Sequence, residues 1–155
     1  MGYTEKLIDF IGKSTDCYHA VKTAKDRLDE NGFTELFEGD KWDVQSGGKY
    51  YVIRNSSSII AFEMPKKDFG AFMICASHTD SPSFKLKPDF EINADGCIKL
   101  SVEGYGGMIM SSWLDRPLSI SGRIVTAKDG KIETKLVNIC LLYTSPSPRA
   151  TERSR

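Results

Sequence analysis

The sequence predicts an α/β fold, and three features predict it: helical periodicity before residue 33, an alternating period after it, and a continuously apolar run, Ala71–Ala76, that ends abruptly in polar residues. The 155 residues suffice for one domain with a real core, since a chain of this size buries roughly 70% of the surface its unfolded form exposes.

Thr4 is placed to cap a first short helix, in which Leu7, Ile8 and Ile11 recur at helical spacing and which Gly12 closes. Asp16 or Ser14 starts a second. There Val21, Ala24 and Leu28 make one face, Lys22, Lys25, Asp26 and Asp29 make the other, and Asn31-Gly32 supplies a left-handed stop. From Phe33 the pattern alternates. Lys49–Arg54 and Ser58–Met64 are β-branched and aromatic runs joined by Asn55-Ser56-Ser57, a hairpin signature. Ala71–Ala76, apolar throughout, reads as a strand buried on both faces, as in a parallel sheet. Ligands of α/β sheets gather at the carboxyl ends of such strands. Two further strands, around Ser83–Leu86 and Cys97–Val102, flank the turn Asn93-Ala-Asp-Gly96, and Asp129-Gly130 joins Leu118–Ala127 to Lys131–Ile139 in a third hairpin.

Lys plus Arg and Asp plus Glu number 21 each, so no global field recruits nucleic acid or an anionic membrane, and neither is expected as a partner. No apolar run approaches the roughly 18 residues of a membrane span, and acids are mixed through the first dozen residues, so a cytoplasmic location is expected. Cys17, Cys75, Cys97 and Cys140 form no CxxC pair and read as reduced, passive thiols. The last dozen residues, Thr144–Arg155, hold two prolines, three arginines and no large apolar side chain, and so are expected to be disordered. The stretch from Cys140 to Arg149 reads either as a natural floppy tail or, the favoured reading, as a translated sequencing adaptor, in which case native sequence is expected to stop near Ile139.

His78 and Asp80 are the residues that offer chemistry. They stand two apart beyond the apolar run, and on an extended chain such residues share a side. A metal-ligating imidazole donates its other N–H to an orienting group, often a carboxylate, and His-x-Asp supplies both. Pro82 stiffens the exit. The triplet alone is common; its position at the end of a buried strand, where a charged pair is expensive, singles it out. His19, inside the second helix beside Tyr18, reads as a structural imidazole. A catalytic zinc keeps three protein ligands, and a two-metal site needs several carboxylates besides, so these residues do not complete a site. Gly104-Tyr-Gly-Gly107 lacks the lysine of a phosphate loop and reads as a tight turn. Ser111 and Ser112, beside Trp113 and Asp115, lack the GxSxG elbow of a serine hydrolase.

Cys75-Ala-Ser-His-Thr-Asp-Ser-Pro82, followed by Phe84-Lys-Leu-Lys87, resembles the first metal-binding segment of the M18 (aspartyl aminopeptidase) family. The likeness runs from about Tyr3 to Ile139. Asp16-Cys-Tyr-His-Ala-Val21 with Leu28–Phe33 resembles the family's opening helices, Lys49–Ser57 with Ile59–Phe62 its first hairpin, and Gly104–Gly107 with Ser112-Trp-Leu-Asp-Arg116 and Leu118–Val125 the entry to its second domain. The resemblance implies the N-terminal part of a zinc-peptidase (phosphorylase/hydrolase-like) α/β domain over residues 1–103, the start of a β-rich dimerisation domain over 104–139, and a non-native tail over 140–155. It implies His78 as a metal ligand and Asp80 as the aspartate that orients it and serves catalysis. Asp115 falls in the domain transition and takes no role. The general-base glutamate, the other ligands and a histidine from a neighbouring subunit match nothing here. The implied activity removes an N-terminal acidic residue, Asp or Glu, from a peptide with two zinc or similar divalent ions, in a homo-oligomer. A different reading is a non-catalytic β-rich interaction module, in which His78 and Asp80 are a buried polar pair.

Overall fold

The computed structural model describes residues 2–94, 96–114 and 116–142, with side chains described up to Ile139. Two compact units emerge, one built on the chain up to Asp80 together with Ser121–Asn138, the other on Ser81–Ile120.

In the first unit, α1 (Tyr3–Lys13) starts at Gly2, upstream of the expected Thr4 cap. The Glu5 carboxylate accepts the Gly2 N–H at 2.7 Å, the return arm of a capping box, and so draws the first turn back. α2 (Cys17–Glu30) is capped by Asp16, whose carboxylate accepts the backbone N–H groups of Tyr18 and His19 at 2.8 and 3.0 Å; of the two expected starts, Asp16 is the one used. Asn31 and Gly32 end it, Gly32 at φ +77°, where a side chain would be strained. The two helices are tied by Arg27, which donates to the Lys6 carbonyl at 2.7 Å and lies 4.8 Å above the Phe10 ring.

A three-stranded sheet follows, in the order β1 (Thr34–Glu35), β2 (Lys49–Arg54), β3 (Ser58–Glu63). β1 runs parallel to β2, pairing Thr34 with Tyr50, and β2 and β3 form the expected hairpin, Lys49 opposite Glu63 through Arg54 opposite Ser58. Asn55 and Ser56 take left-handed φ values of 51° and 56°, which reverse the chain in the twist sense that favours hairpins. β2 is buried on both faces. Tyr51 is fully buried toward α2, and Tyr50 packs on its cross-strand partner Phe62 with ring centroids 5.7 Å apart. Gly48 permits this, because a Cβ there would lie 2.4 Å from the Tyr50 hydroxyl oxygen. With Ala20 and Val21, these tyrosines are the buried apolar core among the described residues.

The second unit is centred on the hairpin of β4 (Ser83–Ala94) and β5 (Cys97–Tyr105). Its register slips between Leu86 and Glu91, around Pro88, which has no N–H to give the ladder. Gly106 turns at φ +75°, and a short 3-10 helix, Met110–Trp113, sets Trp113 edge-on to Phe84 at 5.4 Å. β6 (Leu118–Lys128) and β7 (Lys131–Leu142), most of whose residues belong to the first unit, pair around Asp129-Gly130 as expected. The region read as a disordered tail lies outside the described residues. Among those described, no helix is long and apolar enough to cross a membrane.

One expected element is absent: Ala71–Ala76 forms no strand and is not buried. Phe72, Met73 and Ile74 are 79%, 100% and 84% exposed. A strand exists only where a neighbour accepts its backbone hydrogen bonds, and among the described residues no strand pairs with this run.

Candidate metal-binding corner at His78 and Asp80

The apolar run delivers the chain to Ser77–Asp80, where it bends at Thr79. The bend brings His78 back on Asp80. Its Nδ1 lies 2.5 Å from the Asp80 backbone carbonyl oxygen and 3.3 Å from the carboxylate Oδ1. A carbonyl only accepts, so this contact requires the proton on Nδ1, the tautomer that carries its lone pair on Nε2. The carboxylate is the group expected to meet the ring, but the Asp80 backbone carbonyl lies nearer to Nδ1. Neither side chain is buried, at 77% and 45% exposed, so the buried polar pair of the interaction-module reading is not formed.

Thr79 ties the loop to the body, its hydroxyl donating to the Ser57 carbonyl at 2.7 Å. Thr79 was not singled out in the sequence, where the only signal was a β-branched hydroxyl residue standing between two candidate functional groups.

His19 is structural, as expected. Its Nδ1 meets the Asp16 carboxylate at 2.7 Å, both residues largely buried at the start of α2. Burial opposes the Asp16 charge, but hydrogen bonds from the His19 backbone, Ser121 and the His19 ring outweigh it and hold the carboxyl below its ordinary value. Cys17, Cys75 and Cys97 are free thiols. Burial, then the charges of Asp16 and Asp80, pushes the Cys17 thiol up, which keeps it protonated and a poor nucleophile. The side chain of Cys140 and all of Asp115 lie outside the described residues. Among the described residues no three His, Cys, Asp or Glu side chains gather to hold a metal ion. The donor chemistry at His78 suits zinc, but one imidazole does not make a site.

The class this defines is an α/β chain that presents an oriented imidazole on a loop beyond its first sheet. Residues 10–146 match the family described as aminopeptidase I zinc metalloprotease (M18). The chain is 46% identical over 143 residues to a probable M18 family aminopeptidase 2 of Clostridium novyi, covering 88% of this chain and 33% of that protein. Among solved structures, it is similar to a chain in the cryo-EM structure of the Ape4 and Nbr1 complex, with a TM-score of 0.83 and 40% identity over 86% of this chain and 26% of that one. It is also similar to the S. cerevisiae mApe1 dodecamer, with a TM-score of 0.73 and 34% identity over 86% of this chain and 32% of that one. The chain belongs to the M18 family of aminopeptidases. It spans about a third of the length of the curated relatives it matches.

Proposed function

We propose that this chain forms part of a zinc aminopeptidase that releases N-terminal acidic residues, with His78 as one metal ligand through Nε2 and Asp80 as the group that holds the ring for it. The observation that carries the reading is the commitment of Nδ1 to Asp80, which leaves Nε2 as the lone-pair donor a divalent ion requires. A bound zinc would polarise the scissile carbonyl and lower the pKa of water, so that water gives up a proton and supplies hydroxide as the nucleophile. The chain's own contribution is to fix the tautomer and direction of His78. Two zinc ions, a catalytic role for Asp80, a cytoplasmic location and a division into residues 1–103 and 104–139 belong to the same proposal. A homo-oligomer does too, supported by the dodecamer of the S. cerevisiae relative.

Two measurements test it. Zn2+ added to the chain should shift the His78 imidazole resonance in proton NMR, and His78→Ala should remove that response; a His78 signal that ignores Zn2+ defeats the ligand assignment. Because no complete ligand group forms among the described residues, the zinc-loaded chain alone should not turn over an aspartyl or glutamyl chromogenic substrate. Turnover would show that these residues suffice.

A further inference from the structure

We propose that Thr79 is a positioning residue for the His78–Asp80 pair, its hydroxyl pinning an otherwise exposed loop to the rigid turn between β2 and β3. The inference rests on the reading of His78 as a metal ligand and concerns what holds that ligand still.

From Pro65 to Pro82 every residue is exposed except Thr79. The contact between His78 and Asp80 fixes the ring relative to the loop, not the loop relative to the body. A ligand is useful only when held to within about 0.5 Å of its working position, so something must anchor the loop. Thr79 supplies an anchor. Its hydroxyl donates at 2.7 Å to the carbonyl of Ser57, a residue 22 positions away, and both residues are half-buried.

The acceptor is itself well held. The Ser57 N–H closes the turn on the Arg54 carbonyl at 3.2 Å, and Asn55 and Ser56 lock it in left-handed conformations. Arg123 of β6 donates to the Asn55 carbonyl at 2.9 Å and to its side-chain oxygen at 3.2 Å, while its guanidinium lies 4.5 Å above the Tyr18 ring. Tyr18 is in turn fixed at the capped start of α2. A continuous series of contacts therefore runs from α2 through Tyr18, Arg123 and the Asn55–Ser57 turn to Thr79, ending between His78 and Asp80. The bland alternative is a half-buried hydroxyl that merely satisfies a carbonyl. The two differ in what its loss does to His78.

The chain holds two histidines, so imidazole NMR reads His78 directly with His19 as an internal reference. Thr79→Val keeps the shape and loses the hydroxyl, and Thr79→Ser keeps the hydroxyl. Without metal, Thr79→Val should raise the fast mobility of residues 77–80 and of the His78 ring, leave His19 unchanged, and be rescued in Thr79→Ser. With Zn2+, affinity at His78 should fall about tenfold in Thr79→Val, as for loss of other groups that orient a ligand, and keep its wild-type value in Thr79→Ser. A Thr79→Val chain as ordered and as metal-competent as wild type overturns the proposal, as does a Thr79→Ser chain that behaves like Thr79→Val. If the wild-type His78 ignores Zn2+, the ligand reading alone falls, because metal-free mobility still reports the pinning. Should Thr79→Val fail to fold, the wild-type chain decides: residues 77–80 as ordered as the Asn55–Ser57 turn support the proposal, and residues 77–80 as mobile as the exposed run before them overturn it.

Discussion

Tyr51 gathers hydrogen bonds to charged partners around one buried side chain. Its hydroxyl donates to Asp29 at 2.7 Å and accepts a short hydrogen bond from the Lys25 ammonium, which also reaches Glu35 at 2.7 Å. These contacts join α2 to β1 and β2 around one oxygen atom. The hydrogen bond to Glu35, then that to Tyr51, raises the pKa of Lys25, and Tyr51 foremost, then Lys25, holds the Asp29 carboxyl below its ordinary value. Lys25 keeps two carboxylate partners without the phenol, so Tyr51→Phe removes a bond without isolating a charge. The cost should be that of a hydrogen bond to charged partners, about 1.5–3 kcal/mol, read as a lower urea midpoint at unchanged slope. An unchanged midpoint would show that the hydroxyl contributes nothing net.

At the scale of elements, α2 depends on Asp16. Its carboxylate caps two N–H groups and binds the His19 ring, so Asp16→Ala should cost about 1 kcal/mol or somewhat more. The charge adds a pH dependence whose sign is fixed. The folded pKa is depressed, so the stabilisation is complete above the unfolded value of about 3.9 and is lost as pH falls through the folded value. Asp16→Asn retains a good cap and cannot titrate, so its unfolding midpoint should fall less steeply below pH of about 4 than that of wild type. Parallel acid profiles for the two would place the sensitivity elsewhere. Elements of this kind were legible in the sequence because their determinants are local: the Asp16 cap, the Asn31-Gly32 stop, and the turns at Asn55–Ser57 and Asp129-Gly130 are set by a few adjacent residues. The start of α1 was misplaced because the return bond from Glu5 competes with the Thr4 cap within a single turn. The parallel pairing of β1 with β2 and the fate of Ala71–Ala76 were not legible, since each depends on which distant strand lies alongside. His78 and Asp80 were legible as a pair because their chemistry and spacing are local; Thr79 was not, because its partner lies 22 residues away.

For the molecule as a whole, the consequence of the unformed strand is exposed apolar surface. Phe72, Met73 and Ile74 stand open to solvent, and so do Leu7, Ile8 and Ile11 of α1, each more than half exposed. Burying a residue of this kind is worth about 1.5–3 kcal/mol, so the three at residues 72–74 offer roughly 5–9 kcal/mol gross. Association costs of the order of 4–15 kcal/mol in lost freedom leave little of that. The chain should therefore self-associate weakly and in proportion to concentration, rather than form a tight dimer, and it should bind the dye ANS. Met73→Lys with Ile74→Lys removes the most exposed part of the patch without touching a packed contact. The double variant should lose much of the ANS fluorescence and sediment as a monomer at concentrations where wild type does not, with its melting temperature preserved. A wild-type chain that binds no dye and stays monomeric at every concentration would mean that this run is covered in solution, and that the strand expected from its sequence finds a partner after all.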